Sequence, residues 1–150
     1  MRRAGTRDDP HHLQRFVDAQ DPVVSRVRAE LAAGSKASHW MWFVFPQLRG
    51  LGRSETARYY GIASRDEALA YWRHALLGAR LAECTRLVLA VEGRTALQIF
   101  HAPDDLKFRS SMTLFAHLVP GEPLFRRALA QYFDGEPDPR TVELLSTPAA

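Results

Sequence analysis

Aspartate stands immediately before proline three times in this chain, at Asp9-Pro10, Asp21-Pro22 and Asp138-Pro139. An aspartate can cap the orphan amides at a helix start, and proline is pre-organised for the first helical position. Apolar residues follow the first two pairs at helical spacing: Leu13, Phe16 and Val17, then Val23, Val24, Val27 and Leu31, closing at Gly34. The third pair starts a final helix predicted to run through Leu145. Other start and stop signals fill the space between. Ser54-Glu55 opens a short helix through Tyr60, with Gly61 as its stop, and Ser64-Arg65-Asp66-Glu67 has the Ser-x-x-Glu form of a capping box.

The longest predicted helix lies in Leu76 to Val91, where Leu77, Leu81, Cys84, Val88 and Val91 recur at offsets of three and four before Gly93. Thr95–Phe100, Asp104–Leu118 and Pro123–Phe133 complete the series. Trp40–Phe45 is a continuous apolar run that fits a buried strand or a buried helix. No partner strands are evident, so it is assigned to helix. Repeats and domain-dividing linkers are absent from the pattern. The expectation is an all-α, single compact multi-helix domain of about eight helices over residues 9–145, with flexible tails at 1–8 and 146–150.

A chain of 150 residues suits one domain with a sizeable core. Its 46% hydrophobic and 25% charged residues make an ordinary globular mix. The single cysteine, Cys84, excludes an internal disulfide and a cysteine-based metal cluster, and its helical setting suggests a small packed side chain. MRRAGTRDDP lacks the apolar core of a signal peptide, and Trp40–Phe45 is far too short to span a membrane. A cytoplasmic address is expected.

A net charge of +3, from 20 basic and 17 acidic residues, is too mild and too evenly spread to argue for nucleic acid as partner. The make-up of that charge is more informative. Eighteen basic residues are arginine and two are lysine, with no asparagine, a pattern of GC-rich coding. Lys36 and Lys107 fall in the two densest polar-aromatic segments of the chain. An ammonium is a compact point charge, and a guanidinium does not substitute for it in such a setting.

The first segment, Lys36 to Ser54, reads K-A-S-H-W-M-W-F-V-F-P-Q-L-R-G-L-G-R-S. With Ser38 as a helix cap, Lys36, Trp40, Phe43 and Gln47 share one face, with His39 beside them. A cation, an imidazole and an amide around aromatic rings suit a planar or anionic ligand. Gly50 and Gly52 allow close backbone approach, and Ser54 opens a helix whose free N–H groups favour anions. The structural alternative is that the aromatic residues are simply core. The second segment, Pro103 to Phe115, puts Asp104, Lys107, Ser111 and Phe115 on one stripe. Asp104 or Asp105 could serve as acid or base, Lys107 could bind an anion, and Ser110, Ser111 and Thr113 could donate hydrogen bonds. Its structural alternative makes Asp104 an N-cap, Asp105 and Arg109 an i,i+4 pair, and the serines a concession to tight packing.

These two segments, K-x-S-H-W-M-W-F-x-F-P-Q-L-x-G-L-G-x-S and P-D-D-L-K-x-R-S-S-M-T-L-F, resemble those of the bacterial domain-of-unknown-function 1810 family. Asp9-Pro10, Arg15-Phe16-Val17, Ala19-Gln20, Tyr60-Gly61-Ile62, Leu77-Gly78, Arg80-Leu81, Asp134-Gly135 and the segment from Asp138 to Leu145 match as well. The resemblance covers residues 9–145 and implies a single, mainly α-helical domain. His74-Ala75 departs from the family's usual His-Pro, a helix-start variation. Members are sometimes labelled calpastatin. That label does not suit a chain with a core and no repeats, since calpastatins are disordered repeat proteins. The resemblance carries no catalytic assignment.

The functional expectation is a site for a small anionic or nucleotide-like ligand where the two segments converge. Lys36, Ser38, Trp40, Gln47, Ser54, Lys107, Ser110 and Ser111 would bind it, while Asp104, Asp105 and His39 would carry any proton transfer. Glycosidic or phosphate-ester hydrolysis fits that inventory better than redox or thiol chemistry. No cofactor or metal is expected, since His39, His101 and His117 show no tight ligand spacing, though Asp104-Asp105 could take Mg²⁺. The alternative is a non-enzymatic helical protein-interaction module that exposes its aromatic segment to a partner.

Overall fold

The computed structural model describes residues 8–146. Ten helices follow one another: α1 (Gln14–Gln20), α2 (Val24–Ala32), α3 (Met41–Val44), α4 (Glu55–Tyr60), α5 (Arg65–Arg73), α6 (Ala75–Leu89), α7 (Ala96–Phe100), α8 (Asp104–Leu118), α9 (Leu124–Phe133) and α10 (Pro139–Ser146). Among the described residues there are no strands, and Leu48 and Ile62 form an isolated parallel bridge. The all-α, one-domain expectation stands. Residues 1–7 and 147–150 of the two expected tails lie outside the described residues, and Ser146 is the last residue of α10. Among the described residues no helix is long and apolar enough to cross a membrane.

Helix α8 is the hub, packed against α9, α7, α10, α5 and α3, and α6 packs against α9, α2 and α5 beside it. Seven consecutive residues of α8, Ser110 to Ala116, are buried. That run exceeds one 3.6-residue turn, so neighbours cover the helix on every side. Phe108, Met112, Leu114 and Phe115 have no exposed surface. Phe108 stacks on Phe100 with ring centroids 4.6 Å apart and meets Phe45 edge-on at 5.0 Å, joining α8 to α7 and to the end of α3.

Where a cap and its helix are neighbours in sequence, the predicted boundaries hold. Ser54 and Ser64 accept from the amides of Ala57 and Glu67, Thr95 and Gln98 form a complete capping box, and Asp138 accepts from the Thr141 amide with Pro139 as first helical residue. Gly61 ends α4 because of crowding, since a Cβ there would lie 2.8 Å from both the Ala57 carbonyl oxygen and Arg49 Cα.

Four expectations are corrected. Pro10 does not start α1: the Asp9 carboxylate accepts from Leu13 and Gln14, four and five residues on, across a turn in which His12 has φ +52°. Pro22 does not start α2, and Asp21 instead pairs with Arg80 at 2.9 Å. Ser64 makes only half a capping box, because Glu67 turns to Arg15 and to the Ala63 amide. Trp40–Phe45 shrinks to the single turn of α3, and Ser38 caps nothing. The Ser38 hydroxyl that would cap a longer helix is bound by Glu30, as are the Ala37 and Ser38 amides. Lys36, Trp40, Phe43 and Gln47 therefore do not form a helical stripe.

The junction of α5 and α6 makes the sharpest demand on side-chain size. A Cβ on Gly78 would sit 2.0 Å from the Trp72 carbonyl oxygen, a rigid backbone atom. Gly78→Ala is expected to lower unfolding free energy by about 3 kcal/mol or more. Gly121→Ala, which meets nothing within 4 Å, should stay within about 0.5 kcal/mol. Urea denaturation of the two variants checks the contrast.

Candidate functional site

The two lysine-bearing segments meet, and they meet on one carboxylate. Asp104, the first residue of α8, receives Lys36 Nζ on Oδ2 at 2.8 Å and Lys107 Nζ on Oδ1 at 3.1 Å. Lys36 Nζ also donates to the Ser38 carbonyl at 2.6 Å and lies 5.1 Å from the Trp40 ring centre. Lys107 Nζ sits 4.0 Å from the Trp42 ring centre, a cation–π contact. Burial pushes the Asp104 carboxyl upward, and the hydrogen bonds from Lys36 and Lys107 outweigh it, leaving it below its ordinary range. Lys36 is 7% exposed, so its ammonium is committed to this contact. Backbone contacts close the junction, with Lys36 N donating to Ile99 O at 2.7 Å and His101 Nε2 lying 3.0 Å from Lys36 O.

The remaining predicted residues spread over different settings. Ser110 is buried and donates to Leu106 O, and Ser111 is fully buried with no partner for its hydroxyl among the described residues. Both occupy the part of α8 that neighbouring helices enclose. Gln47 is buried, and its carbonyl accepts from the Ile62 amide at 2.9 Å. Ser54 is an exposed cap of α4, and His39 is exposed. Asp105 keeps one buried oxygen without a donor. The expected Asp105–Arg109 pair is not formed, because Arg109 reaches the carbonyls of Glu136 and Pro137. Cys84 is buried, and burial pushes its thiol up to about 12. No group of three or more histidine, cysteine or carboxylate side chains suited to a metal occurs among the described residues.

Two organising residues are not among the site candidates read from the sequence. Glu30 of α2 accepts from the Ala37 and Ser38 amides, Ser38 Oγ and Trp40 Nε1, at 2.6–3.0 Å. Burial opposes its ionisation, but those hydrogen bonds prevail and bring its carboxyl down to about 2. Arg15 of α1 is 6% exposed and donates to the carbonyls of Tyr59, His11, His12 and Gly61 and to Glu67 Oε2 at 2.7 Å. A planar five-donor group is thus fully engaged, binding the loop before α1 to the end of α4 and to α5.

Arg15 also forms part of the wall of an open cleft of about 400 Å³, with His11, His12, Arg49, Arg58 and Tyr59 around it. A second cleft of about 620 Å³ shares Arg49, Ala63 and Ser64 with the first. Its other walls are Leu48, Ile62, Arg65 and Asp66, and Leu144 to Ser146 of α10. Neither cleft touches Lys36 or Lys107. These residues come from four separated stretches of chain, so no local motif marked them. The nearest signals were Gly50 and Gly52, beside Arg49, and the apolar spacing around Arg15.

The Glu30 carboxyl takes up a proton near its ordinary 4.5 when unfolded and near 2 when folded. Its contribution to stability is therefore complete above about pH 5 and is lost as pH falls toward 2. Asp104 acts in the same direction. Glu30→Gln should lower the unfolding midpoint at pH 7 and make the loss of stability below pH 5 shallower than in the parent protein. Denaturation midpoints measured from pH 7 to pH 2 check this, and parallel profiles would show that the carboxylate is not responsible.

The model of the family described as "Protein of unknown function (DUF1810)" matches residues 10–145. A crystal structure of the conserved hypothetical protein Rv1873 from Mycobacterium tuberculosis is similar to this chain, with a TM-score of 0.91 and 56% identity over 93% of this chain and 99% of that one. Comparison with the curated proteins returned no match. On the extent of the family match, the chain belongs to the DUF1810 family of proteins of unknown function.

Proposed function

We propose that this protein binds a small phosphorylated or otherwise anionic molecule in the groove walled by Arg49 and Arg58. One observation carries the reading: both guanidinium groups border the cleft without a hydrogen bond or ion pair among the described residues. The other charges there, Arg15 and Glu67, neutralise each other through a 2.7 Å contact. The groove therefore keeps two uncompensated cations whose planar forks match phosphate or carboxylate oxygens. His11 and His12 add ring N–H donors, and Tyr59 adds a hydroxyl. The Arg15 network holds the backbone carrying these groups, which reduces the ordering cost of binding.

The same logic argues against an anion held by the lysines. Lys36 and Lys107 already share Asp104, and a ligand would have to displace a carboxylate delivered by the protein itself. The junction is also a poor place for hydrolysis, since Asp104, kept ionised by two ammonium groups, is a poor proton acceptor. The interaction-module alternative would present the aromatic segment, but Trp40 and Phe45 are buried, and the exposed leucines Leu97 and Leu106 lie outside it. Scattered exposed leucines are ordinary on soluble surfaces, so the charged groove is preferred.

Thermal unfolding with inorganic phosphate and pyrophosphate tests the proposal. A ligand at about 100 times its Kd stabilises the folded state by about 2.7 kcal/mol. Pyrophosphate is expected to raise the parent midpoint, and Arg49→Ala with Arg58→Ala to abolish the rise. Arg86→Ala, an exposed arginine of α6 outside both clefts, should retain it. Lys36→Ala should lower the basal midpoint and still respond. No response of the parent protein, or an undiminished response of the double arginine variant, would overturn the reading.

A further inference from the structure

We infer that the ligand of this groove is of the mononucleotide class, an anionic group joined to a flat ring, with the ring seated in the larger cleft. The inference rests on the anion-binding reading above and adds the second half of the molecule. The two clefts run together at Arg49, Ala63 and Ser64. A molecule with its anion between Arg49 and Arg58 therefore extends directly into the other cleft.

That cleft differs in chemistry. Its apolar lining is Leu48 and Ile62 on one side and Leu144 and Leu145 on the other. At about 620 Å³ it falls within the roughly 300–1,000 Å³ range of small-molecule sites. Leu48, Ile62 and Leu145 are already buried and Leu144 is partly exposed. Phosphate alone would leave Leu144 uncovered, and a bare sugar phosphate has no apolar face to place on it. A heterocyclic base has two such faces, and a ribose-length spacer connects it to phosphate.

The walls are held in place. The Leu48–Ile62 bridge is closed by Arg49 N donating to Ile62 O at 2.8 Å and Ile62 N donating to Gln47 O at 2.9 Å. Arg65 donates to the Leu145 carbonyl and joins α5 to α10 across the cleft. Asp66 borders the same space, is exposed, and makes no ion pair among the described residues. A carboxylate only accepts, so it selects a ring bearing N–H groups, such as the exocyclic amine of a purine. Arg65 in this cleft is engaged by the Leu145 carbonyl, and Asp66 adds an acceptor beside it. With Arg49 and Arg58 at the other end, this fits a ligand that is an anion at one end and a donor at the other.

Calorimetric titration of the full chain with phosphate, ribose 5-phosphate and adenosine monophosphate tests this. Adenosine monophosphate is expected to bind at least tenfold more tightly than ribose 5-phosphate. Leu144→Ala should remove most of that advantage and leave the phosphate affinity unchanged. Asp66→Ala, at an exposed position, provides the same test if Leu144→Ala fails to fold, with an expected loss of several-fold for adenosine monophosphate only. Equal affinities for the nucleotide and ribose 5-phosphate would overturn the inference while leaving the anion site standing. Tight nucleotide binding indifferent to the variants would also overturn it. Failure of all three probes would instead overturn the underlying reading.

Discussion

A helix buried around its whole circumference constrains everything that packs on it, and α8 is such a helix. Small residues, Ser110, Ser111, Thr113 and Ala116, share its enclosed run with the large Met112, Leu114 and Phe115. Ser110 and Thr113 return their hydroxyls to carbonyls of the preceding turn, so small volume is obtained without an unpaired donor. The Ser111 hydroxyl is buried without a partner among the described residues, a cost of its burial. At its N-terminus the same helix carries Asp104 into a partly enclosed junction, and the charge needs compensation there. Lys36 and Lys107 supply it from either side. The only two lysines of the chain are thus explained by geometry: a compact ammonium can share one carboxylate with a second ammonium in a narrow space.

Charges taken out of water are tolerated only where hydrogen bonds replace their hydration, and three residues follow that rule together. Asp104 anchors the start of α8, Glu30 gathers the loop from Ala37 to Trp40, and Arg15 gathers His11, His12, Tyr59, Gly61 and Glu67. Between them they determine the course of the segment from Lys36 to Ser54. Glu30 and Asp104 hold its beginning, and the Arg15 network holds the backbone with which its end pairs through the Leu48–Ile62 bridge. Ser38 Oγ, which would cap a longer helix, is engaged by Glu30, and the apolar run at Trp40–Phe45 forms the single turn of α3.

What was legible in the sequence followed from range. Ser54 with Ala57, Thr95 with Gln98 and Asp138 with Thr141 act over three residues, and their helices begin where the pattern predicts. Ser38 and Asp21 carry the same capping chemistry, yet their partners are Glu30, eight residues away, and Arg80, on another helix. A cap-forming residue is a local signal that a distant partner can override. The convergence of the two lysine segments was legible because lysine is so rare here that its two positions stood out. The destination of those charges was not, since Asp104 looked equally suited to capping its own helix. Arg15 entered only as part of a family match, since its partner Glu67 is 52 residues away, while Glu30 and the arginine groove carry no local motif.

In a chain with eighteen arginines, the presence of arginine at a site means little, and the identity of its partner means a great deal. Arg15 is consumed by Glu67 and four carbonyls, Arg80 by Asp21, Arg94 by Gly34 and Gln98, and Arg109 by the turn after α9. Each of these has a structural role that accounts for its charge. Among the described residues Arg49 and Arg58 have none, although both stand beside a groove partly walled by Arg15 and its hydrogen bonds to Tyr59, His11, His12, Gly61 and Glu67. A rigid wall beside two unspent cations costs conformational freedom in the free protein. That cost is offset when an anion arrives, because little remains to be ordered. The asymmetry between satisfied lysines and unsatisfied arginines is therefore what moves the centre of interest from the junction at Asp104 to the groove beyond Arg49.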